Sequence, residues 1–143
     1  MLNGQNIEQV SSIKFLGLIV DDNLSWSSHI QTLSSGIAKS VYQLARLKNF
    51  IDDRCRKTFH HSYIHNKLVY GLPLYGGAAE NQLRSLKSLQ KRVVRLIVKG
   101  CPTTNSEMFK SLGILPLKSL LNFQRSLLVF KSFTYVQNNS GLI

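Results

Sequence analysis

The sequence predicts a mainly α-helical protein with a small N-terminal β element, a hairpin or strand followed by about five helices. Three observations carry this. An Asn3-Gly4 turn and an apolar stretch at Lys14–Val20 with a β-branched end stand at the start. From Trp26 onwards apolar residues recur at steps of three and four, the period of a helix face. Glycine and proline then punctuate the periodic segments at Gly71/Pro73, Gly100/Pro102 and Gly113/Pro116. Strands followed by a run of helices indicate an α+β piece or an appended helical domain.

Asn3-Gly4 is a strong signal for a two-residue hairpin, yet only Met1 and Leu2 precede it. The strand expected before it is missing, so the chain reads as a piece of something longer. A short strand is expected at Ile7–Val10 and a better one at Lys14–Val20. Gly17 inside the latter suggests a bulge or a close backbone approach. Phe15, Leu16 and Gly17 are therefore expected in a strand.

Ser25 is read as the N-cap of the first helix, with Trp26 opening it. Ile30, Leu33, Ile37, Val41, Leu44 and Leu47 form its apolar face. Asp52 is read as the cap of a second helix, with Asp53 favourable against the macrodipole in the first turn. That helix is expected to run to about Tyr70. The segment Gly71–Gly77 is rich in glycine yet apolar, so it is expected to pack.

The third helix, about Asn81–Lys99, carries the clearest pattern. Leu83, Leu86, Leu89, Val93 and Ile97 share one broad face, and Arg84, Lys87, Lys91, Arg95 and Lys99 the opposite one, with Arg92 at the border. Thr104 and Glu107 form a T-x-x-E capping box for a short fourth helix. Gly113 closes that helix, and Pro116 suits the first position of a final one. Residues 117–137 hold Leu and Phe almost all round, so the last helix is expected to be largely buried. Gln137–Gly141 reads as a frayed end or linker.

Composition narrows the function. The 143 residues are 43% hydrophobic and 17% charged, which is a globular balance. No apolar run approaches the roughly 20 residues that span a bilayer. The N-terminal residues lack the basic and apolar regions of a secretion signal. An intracellular protein, nuclear or cytoplasmic, is expected, with Cys55 and Cys101 as reduced thiols. Net charge is +11 and lies unevenly. Residues 1–72 hold eight Lys/Arg and five Asp/Glu, residues 73–143 ten and two. Such an excess favours a polyanionic partner, nucleic acid before an acidic membrane surface. The stripe Arg84, Lys87, Lys91, Arg92, Arg95 and Lys99 has no acid between Glu80 and Glu107. A merely solvated face usually mixes signs, so contact with phosphates is the expectation.

The candidates for catalysis are weak. Val20-Asp21-Asp22 invites comparison with a polymerase box, but a two-metal site needs several carboxylates, and Glu8 is the only acid upstream. Asp21 and Asp22 are read as residues of a strand-to-helix turn. Cys55, His60, His61 and His65 have metal-ligand chemistry, but no CxxC pair supports a zinc site and the ligands would crowd one helix. They are read as surface or half-buried side chains. No nucleophile elbow, P-loop or dinucleotide fingerprint is present. No metal ligand, cofactor or catalytic residue is assigned to the chain itself.

The order of motifs resembles the C-terminal part of non-LTR, jockey-like retrotransposon reverse transcriptases. It is carried by Asn3-Gly4, Ile7 and Val10, Lys14-Phe15-Leu16-Gly17-Leu18, Asp21, Leu24-Ser25-Trp26 and His29-Ile30. Further on come Tyr70-Gly71, Tyr75-Gly76, Leu86-x-x-Leu89-Gln90, Val94-Arg95-Leu96-Ile97 and Leu112-Gly113-Ile114-Leu115-Pro116-Leu117. The resemblance implies that residues 1–23 end a palm with a primer-grip strand, 24–137 form a helical thumb-like domain, and 138–143 are a tail. Phe15, Leu16 and Gly17 would then meet the primer, and the basic stripe the backbone of an RNA/DNA template–primer duplex. It also implies that the fingers and most of the palm, with the catalytic Asp-Asp box and its Mg²⁺, lie upstream as the missing partner. Two other readings stand beside it: a helical protein-interaction module, and a decayed remnant without function.

Overall fold

The computed structural model describes residues 10–98 and 104–139, with side chains up to 135. Two strands, β1 (Ser12–Phe15) and β2 (Leu18–Asp21), precede α1 (Ser27–Leu47). Then come α2 (Asp53–His60), a π-helical turn (His61–His65), α3 (Asn66–Val69) and α4 (Leu72–Tyr75). The chain continues through α5 (Glu80–Ile97), α6 (Asn105–Leu112) and α7 (Leu117–Asn139). The mainly α class with a small β element holds; with α2, the π turn and α3 taken as one continuous run, the described residues form about six helices where about five were expected. The Asn3-Gly4 turn, and the strand expected at Ile7–Val10 apart from Val10, lie outside the described residues.

The stretch expected as one strand is a hairpin. Phe15 ends β1, Leu18 opens β2, and the two pair antiparallel from Ser12↔Asp21 to Phe15↔Leu18. Leu16 and Gly17 form the two-residue turn, with φ of 46° and 81°. Positive φ at both central residues is what a type I′ turn demands. Gly17 adopts it freely, while Leu16 is strained. Gly17 is thus a turn residue and not a bulge within a strand.

Ser25 does not cap α1. The helix begins at Ser27, after Trp26 in a left-handed conformation at φ 63°. Ser25 instead donates from its backbone N and its hydroxyl to the Asp21 carboxylate, at 2.6 and 2.7 Å. That bond ties the end of β2 to the start of α1. The expected face of α1 is inside at Ile30, Ile37, Val41 and Leu44, while Leu47 is exposed.

Asp52 caps α2 as expected, accepting from the Cys55 backbone N at 2.7 Å. The helix read as continuous to Tyr70 changes pitch at the histidines. In the π turn, i→i+5 bonding sets His60 and His65 close, where a regular α-helix would turn them to different faces. The rings of His60, His61 and His65 lie 5.1, 6.0 and 5.5 Å apart, centroid to centroid. The segment after Gly71 packs as expected, for Leu72 and Tyr75 are fully buried.

The core lies where α1 and α5 meet. Leu86, Val93, Val94 and Ile97 of α5 pack in one cluster with Ile37, Val41 and Leu44 of α1 and Ile64, Leu68 and Leu72. Thr104 and Glu107 form the capping box, and Gly113 ends α6 with φ 68°. The expectation of a largely buried last helix is wrong. Among the described side chains of α7, Leu117 and Leu120 are buried, while Phe123, Leu128, Val129, Phe130, Phe133 and Tyr135 are all more than half exposed. An all-round apolar composition marks a helix that something covers, and within the described residues nothing covers this one beyond its first turns.

Candidate nucleic-acid interface

Two pieces were expected to form the interface: the Phe15-Leu16-Gly17 segment and the basic stripe on α5. The structure joins them through α1, which packs against β2 on one side and α5 on another.

The hairpin presents its tip outward. Ile13, Phe15 and Leu16 are 57, 64 and 73% exposed, a large apolar fraction for four-residue strands and a tight turn. The tip is not free to swing. The Tyr70 hydroxyl donates to the Leu16 carbonyl. The Tyr70 ring runs alongside Gly17, where an added Cβ would stand 3.5 Å from Cε1. On β2, the Ile19 backbone N donates to His29 Nδ1 at 3.4 Å, and Leu18 packs onto Gly71 so closely that a Cβ there would lie 2.7 Å from Leu18 Cδ2. Nδ1 accepts, so the neutral ring of His29 carries its proton on Nε2. Burial favours that neutral form by lowering the His29 pKa. Between hairpin, α1 and α3 lies an open cleft of about 460 Å³, lined by Lys14, Ile19, His29, Leu33, Lys67 and Tyr70 among others.

On α5, Arg84, Lys91, Arg92 and Arg95 are exposed, opposite the buried Leu83, Leu86, Val93 and Ile97. Arg95 is steadied by a 3.1 Å bond from Nη2 to Asn105 Oδ1 of α6. Lys87 leaves the stripe, for its ammonium pairs with Glu80 and it lines a groove against α7. The absence of an acid inside the stripe hid this pairing, because Glu80 stands two turns away on the same helix. Lys99 lies outside the described residues.

Three further residues of this region had no role assigned from the sequence. Gln90 is buried on α5 and bonds backbone at both ends of its amide: Nε2 donates to the Leu115 carbonyl and Oε1 accepts from the Leu117 N, each at 2.9 Å. It thereby holds the start of α7 against α5. Lys118 and Arg125 of α7 face the same groove as Lys87. A count of charges in the C-terminal half contains them, but helical spacing on α5 alone could not place them.

The remaining candidates are engaged locally. The Asp21 carboxylate is held by Ser25, and Asp22 accepts from Asn23 Nδ2 at 2.9 Å. Among the described residues no group of three or more His, Cys, Asp or Glu is arranged to hold a metal ion. Cys55 is an exposed free thiol whose pKa is raised by its hydrogen bond to Asp52, and Cys101 lies outside the described residues. No described helix is long and apolar enough to cross a membrane.

Comparison with known proteins gives the frame for these pieces. The chain is 31% identical over 104 residues to the RNA-directed DNA polymerase from mobile element jockey of Drosophila melanogaster, covering 71% of this chain. It is 27% identical over 104 residues to the probable RNA-directed DNA polymerase from transposon BS of the same species. It is 25% identical over 118 residues, 79% of this chain, to a putative 115 kDa protein in type-1 retrotransposable element R1DM. The matches span only 11–12% of the length of these curated relatives. No family model matches the chain, and no solved structure matches it.

Proposed function

The homologues of this chain are RNA-directed DNA polymerases of jockey-like non-LTR retrotransposons, and from that premise we propose that it is the thumb of such an enzyme with the primer-grip hairpin attached. In this reading the chain grips the backbone of an RNA/DNA template–primer duplex and performs no chemistry by itself. The observation that carries it is the outer face of α5. Arg84, Lys91, Arg92 and Arg95 stand exposed together on a helix whose opposite face is core. A thumb that must slide along any sequence needs phosphate contacts and no base contacts. The hairpin supplies the other half: an exposed Phe15-Leu16-Gly17 tip held at a fixed height by Tyr70.

The Mg²⁺ ions of a polymerase do not fit the carboxylates here. Asp21 and Asp22 are neighbours engaged in local hydrogen bonds, whereas a two-metal centre gathers carboxylates around ions roughly 4 Å apart. The metal and its Asp-Asp box belong, in this reading, to a palm outside this chain. The exposed apolar residues of α7 favour a second reading, a module that binds protein through Phe123, Phe130 and Phe133. The remainder of the polymerase would be its partner if both readings hold.

The test is a salt titration of binding to an RNA/DNA duplex. Each phosphate contact steepens the fall of log affinity with log salt by about 0.9. Replacing Arg84, Lys91 and Arg95 by Gln should flatten the slope by roughly two to three units, with helix content retained. An unchanged slope in a folded variant would remove the duplex-binding reading and leave the protein-binding one. Primer extension by the purified chain with Mg²⁺ should stay at background.

A further inference from the structure

The groove between α5 and α7 is built by glycine. A Cβ on Gly76 would lie 2.5 Å from the Leu72 carbonyl oxygen and 2.6 Å from Leu121 Cδ1. A side chain at this position would crowd the α4 backbone and displace Leu121 of α7. Gly76 lines a depression of about 430 Å³ whose floor includes Leu72, Ala78, Leu83, Leu117 and Leu121. Lys87 rises from α5 on one side, Lys118 and Arg125 from α7 on the other. Arg125 lies along the loop backbone, where a Cβ on Gly77 would stand 3.4 Å from Nη2. Arg84 is near enough to act on the same carboxylate, Glu80, as Lys87 and Lys118 do. Three cations thus share one acid, and Lys87 already engages it.

We propose that this groove is a second row of phosphate contacts, through which a nucleic-acid strand crosses from the outer face of α5 onto α7. The inference rests on the duplex-binding reading and extends it to residues on a different helix. An apolar floor with cations on facing walls suits a sugar-phosphate strand: the sugars cover the floor while the phosphates meet the rim. Positively charged grooves track nucleic-acid backbone in this way. A purely structural pair of helices would gain nothing from mutual repulsion across the gap. A flat ionic partner would gain nothing from the floor. Arg84 of the stripe acts on Glu80, which lines the groove, so stripe and groove meet at that carboxylate and one strand can run along both.

The experiment is a salt titration of RNA/DNA duplex binding with the full chain, comparing K118Q/R125Q with the wild type and with R84Q/K91Q/R95Q. Loss of two cations from the groove should flatten the slope by about one to two units. K118R/R125K, which keeps both charges, should keep the slope. Circular dichroism checks the fold, and Gln is nearly as good a helix former as Lys or Arg. A flattened slope in the α5 variant but not in K118Q/R125Q overturns the groove and leaves the duplex-binding reading intact. No change in either variant removes both. A polyglutamate peptide is the second probe. If K118Q/R125Q loses that peptide while its duplex slope is unchanged, the groove is a surface for acidic protein and the proposal falls.

Discussion

The hydroxyl of Tyr70 donates to the carbonyl of Leu16, joining the hairpin turn to the end of α3 across 54 residues of sequence. The bond sits at the tip of the hairpin, which is otherwise held by its two short strands, the Leu18–Gly71 packing and the Ile19–His29 bond. An isolated two-stranded hairpin is marginal in water. Tyr70→Phe keeps the ring beside Gly17 and removes the donor. Amide hydrogen exchange across residues 18–20 should accelerate several-fold, as the loss of about 1 kcal/mol of local stability implies. Exchange as slow as in the wild type would show that the strands and the Leu18–Gly71 packing hold the tip alone.

Leu16 is the residue that a stability argument would replace. Its φ of 46° places a leucine in the left-handed region, which costs roughly 1–2 kcal/mol against a residue that tolerates it. Asn-Gly is the preferred pair for such a turn. Leu16→Asn should therefore raise stability by about 1 kcal/mol, a few degrees in melting temperature. If the exposed tip meets a primer, the same change should weaken duplex binding. A variant that is more stable and binds equally well would detach Leu16 from function.

The histidine cluster sets an acid limit. His60 is fully buried, and neither ring nitrogen has a hydrogen-bond partner among the described residues. Burial first, then the charges of His61 and His65, lower its pKa to about 4. The folded value lies below the unfolded one near 6.5, so the unfolded chain takes up the proton more readily. Stability is then complete above about pH 6.5 and falls as pH drops towards 4, by on the order of 3 kcal/mol. His60→Leu should flatten this limb in denaturant titrations between pH 4 and 7. It should cost little at pH 7, since no hydrogen bond is lost. A limb of undiminished steepness would move the effect to His65 or His29.

Gln90 carries more stability than its polar character suggests. Its amide satisfies the Leu115 carbonyl and the Leu117 N–H, one of the otherwise unpaired donors at the start of α7. Gln90→Leu preserves burial and strands both backbone groups, at about 1–3 kcal/mol each. A total loss of roughly 3 kcal/mol is expected in urea unfolding, together with earlier proteolysis of α7. A loss under about 1 kcal/mol would mean that water replaces the side chain.

The sequence by itself determined three helix ends and the inward faces of α1 and α5. Asp52, the Thr104–Glu107 box and Gly113 act on backbone groups within four residues, so their chemistry is complete in the local sequence. The apolar faces of α1 and α5 follow from a repeat that only a helix can gather to one side. The rest needed contacts between distant residues. Lys14–Val20 has the composition of a strand, and it folds back at Leu16 because Tyr70, Gly71 and His29 hold the returning half. The π turn sets the pitch at His61–His65, inside a run of residues that any α-helix would accept. α7 has the composition of a buried helix but, among the described residues, is covered at its beginning, where it lies against Gly76 and Gln90 holds it. Lys87 turned from the stripe to Glu80, and Lys118 and Arg125 came to face it, because packing placed α7 beside α5. Local chemistry decides where a segment starts and stops, whereas which of its surfaces is covered depends on what the fold brings next to it.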